Sequence, residues 1–179
     1  EINQANAGNP GAITIKVNNL VDKGIITRLY AASKAGVKIR MIIRGMCSLV
    51  PGLEGISDNI KIISIVDRFL EHPRVFHFHH GGEEQVYIAS FDWMTRNIEE
   101  RVEVGVPIYD QELKQRVIDL LELQFADTTK ARIIDAKQQN LYVSRGNRRK
   151  IRSQIWTHDY LKAIESKPRR KIVVEGDNE

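Results

Sequence analysis

Hydrophobic and polar positions alternate in short blocks, and these blocks predict the order of strands and helices. Residues 12–17 predict a short strand, and 37–43 predict a second strand that is half open to water at its start and buried at its end. Between them, Asp22 is a candidate N-cap for an amphipathic helix, and Gly36 is a candidate stop. A strand, a helix and a strand over this length favour a parallel βαβ unit.

The rest of the pattern extends this sheet. Two strands over 74–79 and 85–90 flank a glycine-containing turn and predict a hairpin. Alternating valines over 101–108 predict another strand, and an apolar stripe over 110–125 predicts a helix capped by Asp110. The remaining predicted elements are strands over 60–66 and 132–135 and a helix over 152–164.

This order of elements predicts an α/β fold, and the composition agrees with it. The chain has 179 residues, 42% hydrophobic and 28% charged, which suffices for one core and one domain. Its apolar runs are strand-sized, which excludes a membrane-spanning helix. The single cysteine, Cys47, excludes an internal disulfide and a cysteine-built zinc site, and it fits a reducing compartment. No signal peptide is visible at the start. The chain resembles the middle of a fold within its first dozen residues, so we expect a piece of a longer protein.

Charge is distributed unevenly along the chain. The first 125 residues hold 14 basic and 16 acidic residues, whereas the last 54 hold 13 and 7. The basic residues concentrate in 145–152 and 167–171. Such a patch is typical of a surface that binds a polyanion such as nucleic acid or polyphosphate, and a solvated tail and helix edge explain it equally well.

One arginine stands where a buried strand ends in a loop. Arg44 is followed by Gly45, at the position where open α/β sheets present groups that bind ligands. A planar guanidinium beside glycine can approach phosphate oxygens with two parallel donors, which lysine cannot reproduce. An exposed ion pair is the ordinary alternative.

A histidine and an arginine stand two residues apart at the start of the predicted hairpin. If His72 and Arg74 share a face, they pair a proton-transfer group with a fixed positive charge, as phosphoryl transfer requires. Glu103 lies on a later predicted strand, where a contact with His72 would orient the imidazole. The alternative is that His72 has a structural role.

Two other polar groups are assigned structural roles. His77 and His79 have the spacing of a metal pair, but they alternate with phenylalanines as in an ordinary strand, and no third ligand follows. Asp92 and Thr95 are predicted to cap a turn, with Trp93 packing in the core. We therefore assign no metal ligand.

Six blocks of the sequence together resemble the C-terminal catalytic domain of the long-form polyphosphate kinases, whose two C-terminal domains are phospholipase-D-like. These blocks are KVNNLVD at 16–22, AGVKI at 35–39, IRGMC at 43–47, DRFLEH at 67–72, YIASFDWMTRN at 87–97 and RVEV at 101–104. The resemblance implies a single domain over 12–165, a phospholipase-D-like mixed sheet flanked by helices. It leaves 1–11 as a linker or residual segment and 166–179 as a flexible basic tail.

The resemblance also implies an activity, the reversible transfer of the terminal phosphate of ATP to inorganic polyphosphate through a phosphohistidine. That histidine lies in the preceding domain of the family, so we expect the isolated chain to be inactive. Arg44 matches a family arginine that contacts nucleotide phosphates, and His72 matches a second active-site histidine proposed to assist proton transfer. Arg74 is assigned to phosphate binding with them, and Glu103 to catalysis beside His72.

The same resemblance implies partners, an ion and a location. Magnesium is the expected ion, and ATP or ADP and polyphosphate are the expected ligands. The upstream domains of the same enzyme and further copies of the full-length protein are the expected protein partners. We expect a cytoplasmic location, with membrane association of the full-length enzyme left open.

Two alternative functions are weighed against this one. A phospholipase-D-like phosphodiesterase or nuclease needs a histidine, a lysine and an aspartate in series, whereas this chain has His72 and Arg74 but no aspartate over 75–79. A nucleic-acid-binding module needs clustered aromatic residues for stacking, and only Trp156 and Tyr160 lie near the basic tail.

Overall fold

The computed structural model describes residues 1–166, which form a seven-stranded sheet with helices on both faces. The strands are β1 (Ala12–Val17), β2 (Lys38–Ile43), β3 (Ile60–Ile65), β4 (Arg74–Phe78), β5 (Gln85–Ala89), β6 (Gly105–Pro107) and β7 (Ala131–Ile134). The helices are α1 (Ile2–Asn6), α2 (Lys23–Lys34), α3 (Thr95–Glu99), α4 (Gln111–Phe125) and α5 (Ser153–Glu165). The predicted tail, apart from Ser166, lies outside the described residues.

The sheet is mixed, with the strand order β6-β5-β4-β1-β2-β3-β7. The strands β1, β2 and β3 are parallel, and all other neighbouring strands are antiparallel. The predicted βαβ unit is confirmed, because β1 pairs with β2 in parallel after the α2 crossover. The predicted hairpin is confirmed by the antiparallel pairing of β4 with β5.

This topology collects several loops at one edge of the sheet, which we call the carboxyl edge because β1, β2 and β3 end there. Since β4 runs antiparallel to β1, its first residue, Arg74, lies at the same edge. The strand β5 returns to that edge and ends at Ala89, opposite Arg74. The strand β7 begins there, with Ala131 opposite Ile65. Five loops of the chain therefore meet in one place.

Two of the predicted helices, α2 and α4, begin where their caps were predicted. The Asp22 side chain accepts a hydrogen bond from the Ile25 amide at 2.8 Å, and Asp110 accepts one from the Leu113 amide at 2.8 Å. Each carboxylate thereby satisfies an amide that has no partner inside the helix. The helix α2 ends before Gly36, whose φ of +92° is accessible to glycine at little cost.

Alternation along the strands divides the core between the two faces of the sheet. Ile15, Met41 and Ile43 are fully buried on the face covered by α2, where they belong to one cluster with Leu29. On the other face, α4 packs Leu121 against β4 and β5. Each such buried apolar side chain contributes roughly 1.5–3 kcal/mol by leaving water, and this burial fixes the sheet that carries the loops.

Two predicted segments differ in the structure. The strand predicted over 101–108 is much shorter, since β6 contains only Gly105–Pro107. Val102 is fully exposed, so the alternation of valines there does not reflect burial. The segment 1–11, predicted to be a linker, contains α1, whose Ile2 and Ala5 pack against the core. None of the helices within residues 1–166 combines the length and the apolar character that crossing a bilayer demands.

Candidate active site

The structure brings together two of the predicted site residues at the carboxyl edge. Arg44 directly follows β2, and His72 lies two residues before β4. The Nη2 atom of Arg44 is 3.3 Å from Nδ1 of His72. Arg44 is half-buried and His72 is exposed, so both side chains border the same open surface.

The loop after β2 lies directly on the end of β1, and this requires a glycine. The Gly45 amide donates to the Asn18 carbonyl at 2.7 Å, and the Met46 amide donates to Asn19 Oδ1 at 2.9 Å. A Cβ atom at position 45 would lie 2.9 Å from the Asn18 carbonyl oxygen and 2.6 Å from Asn19 Oδ1, closer than real contacts allow. Gly45 therefore sets where Arg44 leaves the sheet.

Arg74 is held by a buried carboxylate that the sequence analysis assigned to a turn. Its Nε donates to Oδ1 of Asp92 at 3.1 Å, and its Nη1 donates to the His72 carbonyl at 3.2 Å. The Asp92 carboxylate also accepts from the Asn18 amide at 2.8 Å and from the side chains of Asn18 and Asn19. These contacts fix the guanidinium of Arg74 beside the backbone of His72.

Asp92 remains ionised despite its burial. Desolvation by itself would raise the pKa of this carboxyl, but hydrogen bonds from Asn18, Asn19 and Arg74 act in the opposite direction and together lower the pKa. The predicted capping role is wrong, since the N-cap residue of α3 is Met94 and Thr95 Oγ1 donates to Asp22. The predicted packing of Trp93 is confirmed by its stacking on Phe76 at 5.1 Å between ring centroids.

A buried lysine lies beneath the loop that carries His72. The ammonium of Lys16 donates to Oε1 of Gln124 at 2.7 Å and also to Glu71. Gln124 in turn donates to Glu71 at 3.1 Å, so that the residue before His72 is tied to both β1 and α4. Burial lowers the pKa of Lys16, the Glu71 carboxylate partly offsets this, and the positive charge of Arg44 lowers the pKa further.

Glu103 forms hydrogen bonds with residues other than His72, its predicted partner. It accepts hydrogen bonds from the Ser90 hydroxyl and, at 2.6 Å, from the Asn97 side chain. These two hydrogen bonds lower the pKa of the Glu103 carboxyl. The expected contact with His72 is not formed in the part of the chain that the structure describes. The reason is that β6 begins only at Gly105, which leaves Glu103 in the preceding loop beside Ser90.

The other two strand histidines lie outside this cluster. His77 and His79 are on or just after the far half of β4, away from the edge where His72 lies. Nε2 of His77 is 3.3 Å from a carboxylate oxygen of Glu84.

Residues at the N-terminal end of α5 bind the segment that leads to His72. The guanidinium of Arg152 makes two hydrogen bonds to the Asp67 carboxylate, at 2.7 and 2.6 Å, and lowers its pKa. The Gln154 side chain accepts from the Phe69 amide at 3.0 Å and donates to the Phe69 carbonyl at 2.8 Å, as a neighbouring strand would. The backbone before His72 is therefore fixed from a distant part of the chain.

The residues that support this cluster were not predicted from the sequence to be part of it. They are Lys16, Asn18, Glu71, Asp92, Gln124 and Gln154. One signal for them is visible in the sequence, since Lys16 is the one charged residue within the strand 12–17, and a buried lysine is rare unless it is paired. The others stand in segments whose polar residues resemble ordinary loops and helix surfaces.

This arrangement collects three cations around one histidine. Arg44, Arg74 and Lys16 are held at the carboxyl edge by contacts that fix their positions before any ligand arrives. Lys16 and Arg74 are paired with Glu71 and Asp92, so Arg44, which borders the open surface beside His72, is the cation best placed to contact the oxygens of a phosphate-bearing ligand.

Comparisons with known proteins agree on one family. The sequence model described as "Polyphosphate kinase C-terminal domain 2" matches residues 1–154. A polyphosphate kinase of Vibrio parahaemolyticus is 65% identical over 171 residues, which is 96% of this chain and 25% of that protein. The chain thus spans about a quarter of the length of the curated relatives it matches.

Two solved structures share the fold. The crystal structure of a polyphosphate kinase from Porphyromonas gingivalis aligns with a TM-score of 0.89 and 43% identity over 92% of this chain and 25% of that one. Nuc from Salmonella typhimurium, a phospholipase D family member, aligns with a TM-score of 0.54 and 16% identity over 75% of this chain and 88% of its own. The predicted phospholipase-D-like mixed sheet is confirmed.

Proposed function

Since this chain belongs to the family described as polyphosphate kinase C-terminal domain 2, we propose that it supplies one side of an active site that transfers the terminal phosphate of ATP reversibly to inorganic polyphosphate. The observation that carries the proposal is the convergence of Arg44 and His72, with their side-chain nitrogens 3.3 Å apart. The preceding domain of the full-length enzyme, which is not part of this chain, supplies the histidine that is phosphorylated.

The contact between Arg44 and His72 supports a defined tautomer. A guanidinium has only donors, so Nδ1 of His72 must accept this hydrogen bond. In the neutral ring the proton then resides on Nε2, the nitrogen that Arg44 does not contact. We propose that this N–H donates a hydrogen bond to a phosphate oxygen during transfer in either direction and stabilises the negative charge that develops there, while the proton stays on Nε2.

The fixed cations support the electrostatic part of the reaction. Phosphoryl transfer depends mainly on positioning and on neutralising the charge of the phosphate oxygens. Arg44 offers a planar fork of donors at the open surface, and Arg74 is fixed behind it by Asp92. We propose that Arg44 contacts the nucleotide phosphates and that Arg74 adds positive charge near the same phosphate oxygens.

Two half-reactions complete the proposed cycle. In the first, the bond between the terminal phosphorus and the ADP oxygen breaks as a bond to a histidine nitrogen of the preceding domain forms. In the second, a terminal oxygen of polyphosphate attacks the phosphorus and the bond to nitrogen breaks. Division into two steps replaces one difficult transfer with two easier ones.

Among residues 1–166, the acidic side chains do not form a binding site for the magnesium that such a reaction is expected to use. The carboxylates of the cluster, Glu71, Asp92 and Glu103, already accept hydrogen bonds from lysine, arginine, amide or hydroxyl groups. A magnesium ion needs carboxylate oxygens that are free to coordinate it. We therefore assign no magnesium ligand to these residues, and the role proposed for them does not depend on the ion.

The diesterase alternative is supported less well. A phospholipase-D-like site needs a lysine two residues after the histidine, but this position holds Arg74, whose guanidinium is bound by Asp92 and by the His72 carbonyl. The position five residues later is His79 instead of aspartate. The likeness to Nuc is in the fold alone, at 16% identity.

The location and the partners are also part of the proposal. A single cysteine and the need for ATP support a cytoplasmic location for the full-length enzyme. This chain covers 25% of the length of its relative, so three quarters of the full-length enzyme lie outside it. We propose that this remainder includes upstream domains that contact this chain.

The test uses the full-length enzyme that contains this chain. Arg44→Lys is expected to lower ATP-driven polyphosphate synthesis by roughly 100-fold, because an ammonium cannot supply two parallel donors. His72→Ala is expected to lower it at least as much. The matched controls are Arg28→Lys and His158→Ala, at exposed positions on α2 and α5. Wild-type kinetics for Arg44→Lys and His72→Ala would reject the assignment.

A further inference from the structure

A strongly basic loop connects β7 to α5. Residues 144–152, here called the basic loop, contain five arginine and lysine side chains and no acidic residue. Residues 144–150 are all exposed. Within residues 1–166, the ion pairs in this region join Asp67 to Arg152 and to Lys130, and none includes the outer cations Arg145, Arg148, Arg149 and Lys150.

The contacts that order the basic loop leave its positive charge available. The guanidinium of Arg148 donates to the carbonyls of Ser144 and Arg145, which closes a turn without using a carboxylate. The hydroxyl of Thr128 donates to the Arg149 carbonyl at 3.1 Å. These are contacts to backbone carbonyls, so the loop has a defined shape while its charges remain uncompensated within the described residues. A preformed cationic surface binds an anion at a lower entropic cost than a flexible one.

The basic loop is also joined directly to the segment that holds His72. Its last residue, Arg152, makes the bidentate pair with Asp67, and Asp67 precedes His72 by five positions. Five residues span at most about 17 Å, so the end of the basic loop at Arg152 is anchored close to the segment that carries His72. A linear polyanion that occupies the cluster is therefore able to extend onto the loop.

We propose that the basic loop is an accessory surface that binds the inorganic polyphosphate chain beyond the site of transfer. This proposal rests on the proposed function. It adds a surface that makes the enzyme bind long polyphosphate more tightly than short polyphosphate. A long chain contacts the cluster and the loop together, whereas a chain of three phosphates contacts only the cluster. The second contact is intramolecular for a long chain, so it raises affinity for long polyphosphate selectively.

The aromatic residues near the loop favour polyphosphate over nucleic acid. The guanidinium of Arg149 lies 4.3 Å from the ring centre of Trp156, and that of Arg132 lies 3.9 Å from the ring centre of Tyr142. One face of each ring is therefore already covered, whereas binding of a single-stranded nucleic acid uses free ring faces for base stacking. Polyphosphate has no bases and needs only the cations.

The experiment compares chain lengths in the full-length enzyme. The variant carries Arg145→Gln, Arg149→Gln and Lys150→Gln together, while Arg148 is kept because it orders the loop. The control carries Lys23→Gln, Arg28→Gln and Lys34→Gln, three exposed positions on α2, which covers the other face of the sheet. ATP formation from ADP is measured with long-chain polyphosphate and with tripolyphosphate at several salt concentrations, and thermal unfolding verifies that the variants are folded.

The loop variant is expected to raise the KM for long-chain polyphosphate about tenfold and the KM for tripolyphosphate by less than about twofold. The slope of log affinity against log salt for long-chain polyphosphate is expected to fall by about 2, since three phosphate contacts are lost at roughly 0.7 each. The control variant is expected to match the wild type in both measurements.

Three outcomes overturn a proposal, and they are distinguishable. An unchanged KM and salt slope for long-chain polyphosphate in the loop variant overturn the accessory surface and leave the proposed function intact. Loss of binding to a single-stranded oligonucleotide, with polyphosphate binding unchanged, reassigns the loop to nucleic acid. A wild-type enzyme that makes no polyphosphate from ATP overturns the proposed function. In that case the affinity of wild type and variant for fluorescent long-chain polyphosphate, measured by direct binding, still tests the basic loop.

Discussion

The Asp92 carboxylate accepts a hydrogen bond from Nε of Arg74 at 3.1 Å, although the two residues stand 18 positions apart in the chain. The same oxygen accepts from the backbone amide of Asn18 at 2.8 Å. One buried carboxylate thus joins the end of β1, the start of β4 and the segment after β5. Because Arg74 also contacts the His72 carbonyl, this anion governs the position of the proposed catalytic histidine.

Asp92→Asn is expected to destabilise the chain by about 3 kcal/mol. The substitution removes a buried charge that compensates Arg74, and it places an amide N–H₂ group among donors. Urea denaturation of the 179-residue chain measures the effect. The control Glu112→Gln breaks an exposed pair with Arg116 and is expected to cost less than about 0.5 kcal/mol. Equal losses in the two variants would contradict the role of Asp92.

Lys16→Met is expected to change how stability depends on alkaline pH. The pKa of Lys16 is lowered in the folded chain, chiefly by burial, from its ordinary value of 10.5. Between the two values the unfolded chain binds more protons, so wild-type stability gains from a rise in pH across that interval. The variant lacks this gain. Urea midpoints measured between neutral pH and about pH 10 test this, with the exposed Lys38→Met as control, and parallel curves for wild type and Lys16→Met would refute it.

Asp127→Asn is expected to reduce the loss of stability in acid. Burial alone would raise the pKa of Asp127, but backbone amides of Lys130, Ser153 and Thr129 donate to the carboxylate, and the net effect is a lowered pKa. The folded-state pKa lies below the unfolded value, so this carboxylate stabilises the fold above the ordinary value of 3.8, and the benefit is lost as the pH falls through the folded-state pKa.

The measurement compares urea midpoints at about pH 5 and about pH 3. The wild type is expected to lose more stability than Asp127→Asn, although the variant is less stable at the higher pH. Asp159→Asn, at an exposed position, serves as the control and is expected to follow the wild type. An identical decline in wild type and Asp127→Asn would show that this carboxylate does not contribute to the acid transition.

Glu103→Gln distinguishes the two roles that sequence and structure suggest for this residue. If Glu103 orients the imidazole of His72, the pH dependence of phosphate transfer by the full-length enzyme shifts in the variant. Its hydrogen bonds to Ser90 and Asn97 lead us to expect a loss of less than about tenfold, with the wild-type pH profile. A shifted profile would restore the catalytic assignment and contradict the role in holding the loop.

The isolated 179-residue chain is expected to fold without catalysing transfer. Its sheet core is continuous across β1, β2 and β3, whereas the histidine proposed to carry the phosphate belongs to another domain. The assay supplies ATP, magnesium and a polyphosphate primer to the purified chain. Incorporation of phosphate, or a stable phosphohistidine on any of its five histidines, would show that this chain holds a complete site.

The local elements and their order follow from short stretches of sequence. The caps at Asp22 and Asp110 and the stop at Gly36 act through groups only a few residues away, so their effects are readable from short stretches of sequence. The parallel βαβ unit followed from the length of its crossover. Arg44 and His72 were also identified from the sequence, because strand ends and a family resemblance both pointed to them.

The polar groups that meet around these residues are brought together by the packing of distant elements. Lys16 binds Gln124 across 108 positions, and Gln154 binds Phe69 across 85. A buried polar group is stable only with a partner, yet its partner is chosen by how distant elements pack, and no local pattern encodes that choice. Glu103 illustrates the same limit, since the late start of a short edge strand placed it beside Ser90 and away from His72.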